Sequence, residues 1–324
     1  MDKKKTDTDI KVSVCVSTYN QEALIGPCLD SILSQVTDFP IEIIVADDHS
    51  TDNTASIIKQ YQQDHPGLIK VLIQPVNVGA TINLQDVHRL ARGQYVAHCD
   101  GDDLMLPGKL QKQANFLDAH PDIVQAWHRM YLIDKAGNRI GILPRRFLPL
   151  LARKLTIKDL AVAYFMLGFH SSLMYRREAR TIDDRKEFTI DYFYALETAS
   201  HGYSTHMRDF LGCYRTIPNS SLTTSGTHIQ KVDTAMAEAA LYFAKKFPEL
   251  GPMFYGNLWF KRKLLKYAGT EESAEFKKIY SYLKQYRNRR YPMRSSWLFM
   301  MLYSSLSVNM WGKLIRKFSS PLKK

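Results

Sequence analysis

Short apolar runs rich in β-branched residues recur in the first hundred residues, and each of them ends in polar side chains. The three clearest stretches are Val12–Asn20, Ile41–Asp52 and Tyr95–Asp103. Such runs predict buried strands, and the polar residues mark where each strand ends. Because ligands of open α/β sheets bind at the carboxyl ends of the strands, we expect these polar clusters to meet at one edge of a sheet.

Segments with apolar residues at helical spacing follow the first two strands. These positions are Leu24, Ile25, Cys28, Leu29, Ile32 and Leu33 after the first strand, and Ile57, Ile58 and Tyr61 after the second. Ser50 or Thr51 is predicted to cap the second helix, because a hydroxyl can accept the free backbone N–H groups of a first turn. Strands that alternate with helices predict an α/β fold.

Three carboxylates stand within four residues after the third strand, at Asp100, Asp102 and Asp103. Like charges at this spacing repel one another, which costs stability unless a cation is held among them. An Asp-x-Asp turn suits Mg²⁺ or Mn²⁺, which prefer oxygen ligands and often share their shell with substrate phosphates. The alternative is an acidic, solvated turn with a helix cap.

Length and composition set the size of the core and the redox compartment. With 324 residues, 45% hydrophobic and 11% aromatic, the chain can form one large domain, or one domain with a substantial appendage. The cysteines lack C-x-x-C spacing and are predicted to be reduced structural thiols of a cytoplasmic protein; they are Cys15, Cys28, Cys99 and Cys213. No apolar run follows the charged N-terminus, so no signal peptide is predicted.

The formal net charge of +12 is concentrated near the C-terminus. Lys261–Lys324 holds sixteen Lys and Arg against three Glu, so the first 260 residues are close to neutral. Basic residues flank a charge-free window at 295–312 that contains Trp297 and Trp311 but also seven Ser, Asn or Gly residues. This pattern is typical of a helix lying in the headgroup plane of an anionic membrane. The alternatives are a helix packed on the rest of the chain and a membrane span.

The sequence contains neither G-x-G-x-x-G nor G-x-x-x-x-G-K-[ST], the glycine-rich motifs that commonly bind nucleotide phosphates. A nucleotide would therefore have to be held by side chains and a metal.

The order and spacing of several short motifs resemble those of family-two glycosyltransferases, which are inverting enzymes that use nucleotide sugars on a GT-A fold. The motifs are Ser17-Thr18-Tyr19-Asn20, Asp47-Asp48-His49-Ser50-Thr51-Asp52, Asn77-Val78-Gly79, Gly93-Gln94-Tyr95 and Asp100-Gly101-Asp102-Asp103. A weaker resemblance continues to about residue 222 through Thr189–Phe193 and Cys213–Arg215. The sequence departs from the family pattern at three positions: His49 replaces Gly, Ile190 replaces Glu and Ile217 replaces His.

The resemblance implies an α/β fold of the GT-A type, Rossmann-like, with a mixed, mostly parallel sheet flanked by helices and a helical C-terminal extension. The predicted glycosyltransferase domain spans residues 10–225, with a nucleotide-sugar half at 10–110 and an acceptor half at 111–225. Residues 226–324 are predicted to form a basic helical region that associates with a membrane.

The resemblance also implies roles at the nucleotide-sugar edge of the sheet. Asp102 would ligate Mn²⁺ or Mg²⁺ directly, and Asp100 and Asp103 would support the metal or hold the ribose. Asp48 would accept a hydrogen bond from the uracil ring N–H. The residues expected to line the same pocket are Ser17, Thr18 and Asn20. Helix caps and loop hydrogen bonds are the structural alternatives for Asp48 and Ser17.

Asp191 is the candidate general base, because a poor hydroxyl nucleophile must lose its proton as it attacks. It precedes a predicted helix whose N-terminus would favour the ionised carboxylate, although a plain helix cap would look the same. Asp183 and Asp184 are competing bases nearby. Arg215 would pair with the diphosphate or form a salt bridge, and His170 would contact the acceptor or serve the structure.

The predicted function is metal-dependent, inverting transfer of a sugar from a UDP-sugar to a hydroxyl of a glycan or lipid-linked acceptor. The enzyme is expected in the cytoplasm, peripheral at the inner face of the membrane, and the sequence specifies neither the sugar nor the linkage. One alternative is a sugar nucleotidyltransferase, which normally carries a glycine-rich phosphate loop. Another is a nucleic-acid-binding protein using the basic tail, which would leave the acidic clusters unexplained, so no nucleic-acid partner is expected.

Overall fold

A computed structural model describes residues 10–143, 154–162, 167–181, 189–216, 229–267, 269 and 271–287. Its strands are β1 Val12–Thr18, β2 Ile41–Asp47, β3 Ile69–Ile73, β4 Tyr95–Asp100, β5 Leu104–Met105, β6 Ile123–Ile133, β7 Arg139–Leu143, β8 Met174–Arg176 and β9 Tyr203–Arg215. Its helices are α1 Ile25–Leu33, α2 Thr54–Asp64, α3 Ala80–Arg89, α4 Lys109–Ala119, α5 Ile157–Val162, α6 Asp191–Ala199, α7 Ile229–Lys246, α8 Gly251–Tyr267 and α9 Ala274–Leu283. The strands β1, β2 and β4 and the helices α1 and α2 confirm the elements that the hydrophobic pattern predicts.

The described strands form a single mixed sheet. Its order is β3-β2-β1-β4-β8-β6-β9-β5, and β7 pairs with β6. The strands β3, β2, β1 and β4 run parallel to one another, and β6 runs parallel to β9. The short strand β8 lies antiparallel between β4 and β6. The sheet is therefore parallel in its N-terminal half and mixed beyond β4.

The register of the parallel strands brings their polar ends level. Ser17 lies opposite Asp100 across the β1–β4 ladder, and Thr18 lies opposite Asp47 across the β1–β2 ladder. Because parallel strands end at the same edge, the three polar clusters that the sequence places after separate strands become neighbours.

The hydrophobic core packs helices against this sheet. Alternate side chains of the buried strands join the inner face of α1, and the fully buried members include Val14, Val16, Leu29, Ile43 and Ala97. Contacts also join α2 to β3, α3 to β1, and both α4 and α6 to β6. Burial of such apolar area contributes roughly 25 cal/mol per Å² and accounts for most of the driving force for this layered arrangement.

The described residues divide into two compact units. The first comprises those of Met1–Thr156 and Gly168–Thr216, and the second those of Ile157–Leu167 and Ile217–Lys324. The sequence instead predicts one boundary near residue 225, without assigning Ile157–Leu167 to the later helices. The chain leaves the first unit after Thr156 and returns to it at Gly168.

The second unit is helical. Contacts join α7, α8 and α9 to one another and α5 to α8. Buried aromatic side chains fill its interior, among them Phe243, Phe254 and Phe276. A buried ion pair joins Lys261 Nζ to Asp233 Oδ1 at 2.7 Å. This unit thus has an apolar interior of its own.

The predicted N-cap of α2 is wrong, because the helix is capped by Asn53 and not by Ser50 or Thr51. Asp52 Oδ1 instead accepts the backbone N–H of Thr54 at 3.0 Å. Of the predicted membrane-associating region at 226–324, the part from 288 to 324, which holds the window at 295–312, lies outside the described residues. Among the helices of the described residues, none combines the length and the apolar character needed to cross a bilayer.

The turn before β4 requires glycine. The N–H of Gly93 donates to Ser13 Oγ at 2.8 Å, which holds the turn against β1. A Cβ atom at position 93 would lie 2.6 Å from the backbone nitrogen of Ser13 and 2.9 Å from the carbonyl oxygen of Tyr95. Both neighbours are backbone atoms of the sheet, so neither can move away without disturbing the ladder.

We expect Gly93→Ala to lower the free energy of unfolding by about 1–3 kcal/mol, the usual cost of overpacking an interior site. The matched control is Gly26→Ala in α1, where the new Cβ would meet Tyr61 Oη at an ordinary 3.5 Å. The control should keep stability or raise it by up to about 1 kcal/mol, because alanine is the better helix former. Chemical denaturation measures both variants. Wild-type stability of Gly93→Ala would contradict the assignment.

Candidate active site

The residues Asp100–Asp103 leave the end of β4 as a tight loop, which we call the carboxylate loop. The N–H of Gly101 donates to Ser17 O at 2.9 Å, and the N–H of Asp103 donates to Asp100 O at 3.0 Å. A Cβ atom on Gly101 would lie 2.5 Å from Gln21 Oε1 and 2.8 Å from Thr18 Cβ. The close approach of the β1 end thus requires glycine within the acidic motif.

Asp100 is held on both sides of its carboxylate. His98 Nε2 lies 3.0 Å from Oδ1, and Ser171 Oγ donates to Oδ2 at 3.2 Å. The N–H of Asp100 in turn donates to Ser171 Oγ at 2.9 Å. Burial would raise the pKa of Asp100, but His98, His170 and Ser171 outweigh it and lower the pKa to about 2. Asp100 is therefore ionised across the physiological range.

Asp102 and Asp103 are less well compensated. Burial and the charge of Asp100 raise the pKa of the half-buried Asp102 to about 6. Asp103 is fully buried, and burial together with Asp100 and Asp102 raises its pKa well above the ordinary value. Its Oδ2 atom has no hydrogen-bond partner among the described residues. Two of the three carboxyl groups thus pay a free-energy penalty for ionising beside Asp100.

Arg215, at the end of β9, supports the loop from behind. The backbone N–H of Arg215 donates to Asp103 Oδ1 at 2.8 Å, and the side-chain Nε donates to the carbonyl oxygen of Asp102 at 2.8 Å. Nη1 donates to the carbonyl oxygens of Asp134 and Lys135, at 3.0 Å each. Arg215 is 7% exposed. The predicted diphosphate contact would therefore use Nη2, and the observed bonds fix the shape of the carboxylate loop.

Lys109 places a positive charge beneath the same loop. Its side chain is fully buried, and Nζ donates to Ser171 O at 2.6 Å and to His98 O at 3.3 Å. Burial lowers the pKa of Lys109 to about 8, although Asp103 and Asp100 oppose that shift. The ammonium group thus offsets part of the acidic charge from the interior.

Two observations indicate that the carboxylate loop can hold a hard divalent cation. Asp102 and Asp103 have raised pKa values mainly because of burial and neighbouring carboxylates, and a cation would relieve the repulsion. The donor atoms are carboxylate oxygens, which suit Mg²⁺ or Mn²⁺. Asp100 and Asp102 are partly accessible, whereas Asp103 is buried, so the first two are the better placed for direct ligation.

The loops after β1 and β2 are joined by hydrogen bonds through Asn20. Asn20 Oδ1 accepts the N–H of Thr51 at 2.8 Å, and the N–H of Asn20 donates to Ser50 Oγ at 2.8 Å. Thr18 is buried, and its hydroxyl donates to Gln21 Oε1 at 2.6 Å. The structure brings Ser17, Thr18 and Asn20 to one sheet edge, where nucleotide contact by each stays a prediction.

Asp48 organises the turn before α3. Its two carboxylate oxygens accept the N–H groups of Val78 at 2.8 Å and Gly79 at 3.0 Å. Burial raises the pKa of Asp48, and the two amides oppose that shift. Asp48 therefore makes the loop hydrogen bonds that were the structural alternative to nucleotide binding. Acceptance of a hydrogen bond from the uracil N–H stays a prediction. His49 stands where the resembled family has glycine and adopts φ 60°, so the left-handed turn is retained.

Asp191 is the first residue of α6 and is exposed. Its pKa is raised because protein atoms crowd around it and because Asp100 adds negative charge. Burial raises the pKa of Tyr214, and the negative charges of Asp103, Asp100, Asp102 and Asp191 raise it further. The Tyr214 ring contacts Phe169 at a centroid distance of 4.5 Å. The competing bases Asp183 and Asp184 lie outside the described residues.

Sequence reasoning missed His98, Ser171, Lys109 and Tyr214 as parts of this site. One signal was available for His98, because strand side chains alternate and His98 therefore shares a face with Asp100. Ser171 and Lys109 give no such signal, since their contacts with the loop depend on the fold. Tyr214 lies within the Cys213–Arg215 motif, but its place near the carboxylates follows from the pairing of β9.

Comparison with known families gives one match over half of the chain. Residues 13–179 match the family described as Glycosyl transferase family 2. An uncharacterized protein of Mycobacterium tuberculosis is 34% identical over 208 residues, which cover 63% of this chain and 58% of that protein. The match thus spans less than two thirds of that relative.

Solved structures share the fold at low identity. S. aureus TarS 1–349 in complex with UDP-GlcNAc superposes with a TM-score of 0.59 and 20% identity, over 76% of this chain and 70% of that one. A mannosyltransferase from Pyrobaculum calidifontis in complex with GDP-Man and Mn²⁺ gives a TM-score of 0.55 and 20% identity, over 95% and 92%. Both similarities concern the fold, which is the α/β GT-A architecture with flanking helices that the sequence predicts.

The raised pKa of Asp102 makes stability depend on pH. An acidic group with a raised folded-state pKa costs stability as pH rises from its unfolded value of about 4 to its folded value of about 6. In EDTA, we expect Asp102→Asn to be more stable than wild type by about 1–3 kcal/mol at pH 7, and no more stable at pH 4. Denaturant titrations at the two pH values measure this difference.

Added Mn²⁺ should reverse the order at pH 7, because the cation stabilises the wild type and binds the variant weakly. Asp64→Asn alters an exposed carboxylate on α2 that accepts a hydrogen bond from Gln60 Nε2, and it serves as the control that should follow the wild type. If the stability of Asp102→Asn and of the wild type changed identically with pH, the raised pKa assigned to Asp102 would be contradicted.

Proposed function

The chain belongs to glycosyl transferase family 2, and on that premise we propose that it transfers a sugar from a UDP-sugar to a hydroxyl of a glycan or lipid-linked acceptor, with inversion. The observation that carries the proposal is the crowding of Asp100, Asp102 and Asp103 at the β4 end, where the charge of Asp100 also raises the pKa of Asp191. Family membership sets aside the nucleotidyltransferase and the nucleic-acid-binding protein as alternatives.

In this proposal Asp102 and Asp100 hold Mn²⁺ or Mg²⁺. When bound, the cation supplies positive charge that offsets the negative charge gathered by the departing diphosphate. Asp103 keeps the loop in shape from within, since it is buried and bonds the backbone of Arg215. Nη2 of Arg215 is the proposed second positive contact for the diphosphate.

The donor would lie along the ends of β1, β2 and β4. Ser17, Thr18 and Asn20 would line the nucleotide pocket, and Asp48 would accept from the base. The fold neighbours are bound to UDP-GlcNAc in one case and to GDP-Man with Mn²⁺ in the other. They support a nucleotide-sugar donor and a divalent cation for this chain, and the choice of UDP rests on Asp48 as a partner for the uracil N–H.

Asp191 is the proposed general base. An exposed carboxylate can reach an incoming acceptor, and its raised pKa makes it a better proton acceptor than an ordinary Asp. Single displacement would then proceed with the acceptor oxygen attacking the anomeric carbon as its proton passes to Asp191, while the UDP leaves on the opposite face. One inversion follows from one displacement.

The basic C-terminal segment supports the proposed acceptor and location. Sixteen Lys and Arg after residue 260 would draw the enzyme to anionic lipid, each contributing roughly 1 kcal/mol near the surface. A lipid-linked acceptor at the inner face of the membrane would be within reach of such an enzyme. This part of the proposal rests on the sequence alone.

A screen of nucleotide sugars for turnover, with Mn²⁺ and with excess EDTA, tests the proposed function. We expect UDP-sugar turnover that EDTA abolishes, and Asp102→Asn should lower kcat by about 10²- to 10³-fold, the usual loss when one charge-stabilising group is removed. Asp64→Asn should keep wild-type turnover. Full activity of metal-free enzyme would sink the cation role.

Asp191→Asn should lower transfer by about 10²- to 10⁴-fold, because the acceptor loses its general base. Donor affinity should stay close to wild type, since Asp191 acts on the acceptor. Wild-type transfer should also fall as pH drops through the raised pKa of Asp191, where the carboxylate becomes protonated. Asp209→Asn, which alters a surface ion pair with Lys112, is the control. Near-normal transfer by Asp191→Asn would move the search to Asp183 and Asp184.

A further inference from the structure

A continuous row of hydrogen bonds runs from Asp100 into the interior. His98 Nε2 lies 3.0 Å from Asp100 Oδ1, and His98 Nδ1 lies 3.0 Å from His88 Nε2. His88 Nδ1 then lies 2.7 Å from the Tyr175 hydroxyl and 3.5 Å from Arg180 Nη1. The four inner residues are between 0% and 6% exposed. The sheet thus places a buried polar row behind one carboxylate of the site.

We propose that Arg180, Tyr175, His88 and His98 form a directed relay of hydrogen bonds that fixes the tautomer of His98 and thereby orients Asp100 toward the cation. The proposal rests on the proposed function in taking Asp100 as a metal ligand. It assigns the relay residues a positioning role, because they act on the site only through Asp100.

The direction of the relay follows from Arg180. A guanidinium group only donates hydrogen bonds, so His88 Nδ1 facing it must be an acceptor. A neutral His88 then carries its proton on Nε2 and donates it to His98 Nδ1. Because His98 Nδ1 accepts this hydrogen bond, the proton of neutral His98 lies on Nε2. His98 Nε2–H then donates to Asp100 Oδ1.

The surroundings hold this direction in place. The guanidinium carbon of Arg180 lies 4.0 Å from the ring centroid of Tyr194 and 5.0 Å from that of Tyr175. Burial and Arg180 both lower the pKa of His88 well below its ordinary value. His88 therefore stays neutral, as the relay requires, and Tyr175 supplies a second donor to its Nδ1 atom.

Three histidines this close also suggest a second metal site, because ligand nitrogens of His88, His98 and His170 lie within 4.8 Å of one another. The ring planes argue against it. His98 and His170 stack at a centroid distance of 3.8 Å, and the planes of His88 and His170 differ by only 4°. An imidazole lone pair lies in the ring plane, so stacked rings cannot direct their nitrogens at one ion. Both nitrogens of His98 are also already bonded.

Orientation of Asp100 matters because a metal ligand acts from a defined direction. Oδ1 is held by His98 and Oδ2 by Ser171, so the orientation of the carboxylate is fixed, and the side chain remains 36% exposed. Hydrogen-bond partners behind metal ligands commonly contribute 10- to 100-fold to metal affinity or activity. We expect the relay to contribute about 10- to 100-fold to the Mn²⁺ affinity of this site.

The first experiment uses the metal-free full-length protein and needs neither donor nor acceptor. Nitrogen NMR of the histidine rings should report His88 and His98 as neutral imidazoles with the proton on Nε2. A proton on Nδ1 of either ring, or a doubly protonated His98, would overturn the relay. This readout stays valid even if the protein proves to have no cation requirement.

The second experiment measures Mn²⁺ affinity from the signal of free Mn²⁺ in paramagnetic resonance. His98→Leu should weaken binding by about 10- to 100-fold. His98→Gln should recover part of the loss, because a side-chain amide N–H can donate where Nε2–H does. A merely structural role would not distinguish these two variants. Wild-type affinity in folded His98→Leu would overturn the proposal.

The third comparison probes the far end of the relay with a matched pair. Tyr175→Phe removes one buried hydroxyl that faces His88, and Tyr95→Phe removes one that donates to Asp118 at 2.7 Å. Both tyrosines are at most 1% exposed and lie on the neighbouring strands β8 and β4. We expect several-fold weaker Mn²⁺ binding only in Tyr175→Phe. Equal affinities in the two variants would remove Tyr175 from the relay.

Loss of the proposed function would look different. If wild-type protein and Asp102→Asn bound Mn²⁺ equally weakly, the cation role would fail, while the tautomers measured by NMR would still decide the direction of the relay.

Discussion

Repulsion among the carboxylates that leave β4 is the constraint on which the rest of the site depends. Asp100 remains ionised because His98 and Ser171 bond it, whereas the pKa values of Asp102 and Asp103 rise. The surrounding protein compensates from several directions, with Lys109 below and Arg215 behind the loop. This compensation is incomplete, and the remaining repulsion is what a divalent cation can relieve.

Much of the nucleotide-sugar half could be predicted from the sequence, because its signals are local. The β-branched runs give β1, β2 and β4, and the rule that polar ends of parallel strands meet then brings Ser17 beside Asp100. The prediction of the α2 N-cap from residue type was wrong. Ser50 was a reasonable cap by residue type, but its hydroxyl is used by Asp47 and by the N–H of Asn20, so α2 starts at a later residue.

The parts that could not be predicted depend on contacts between distant residues. Ser171 reaches Asp100 across 71 positions, and Arg215 reaches Asp102 across 113. No periodicity encodes such pairs, because they exist only once β8 and β9 have taken their places in the sheet. The resemblance could assign Arg215 to the site, yet the distinction between holding a loop and binding a phosphate required the positions of the carbonyl groups.

The antiparallel course of β8 has a consequence for how this enzyme could diversify. Since β8 runs against β4, the residues that enter β8, including Ser171, arrive at the edge where β4 ends. Between β7 and β8 the chain passes into the second unit and returns at Gly168. The excursion can therefore change in length and sequence over evolution while the register of β8 keeps Ser171 on Asp100. The hydrogen bonds between Ser171 and Asp100 would thus stay in place while that segment varies.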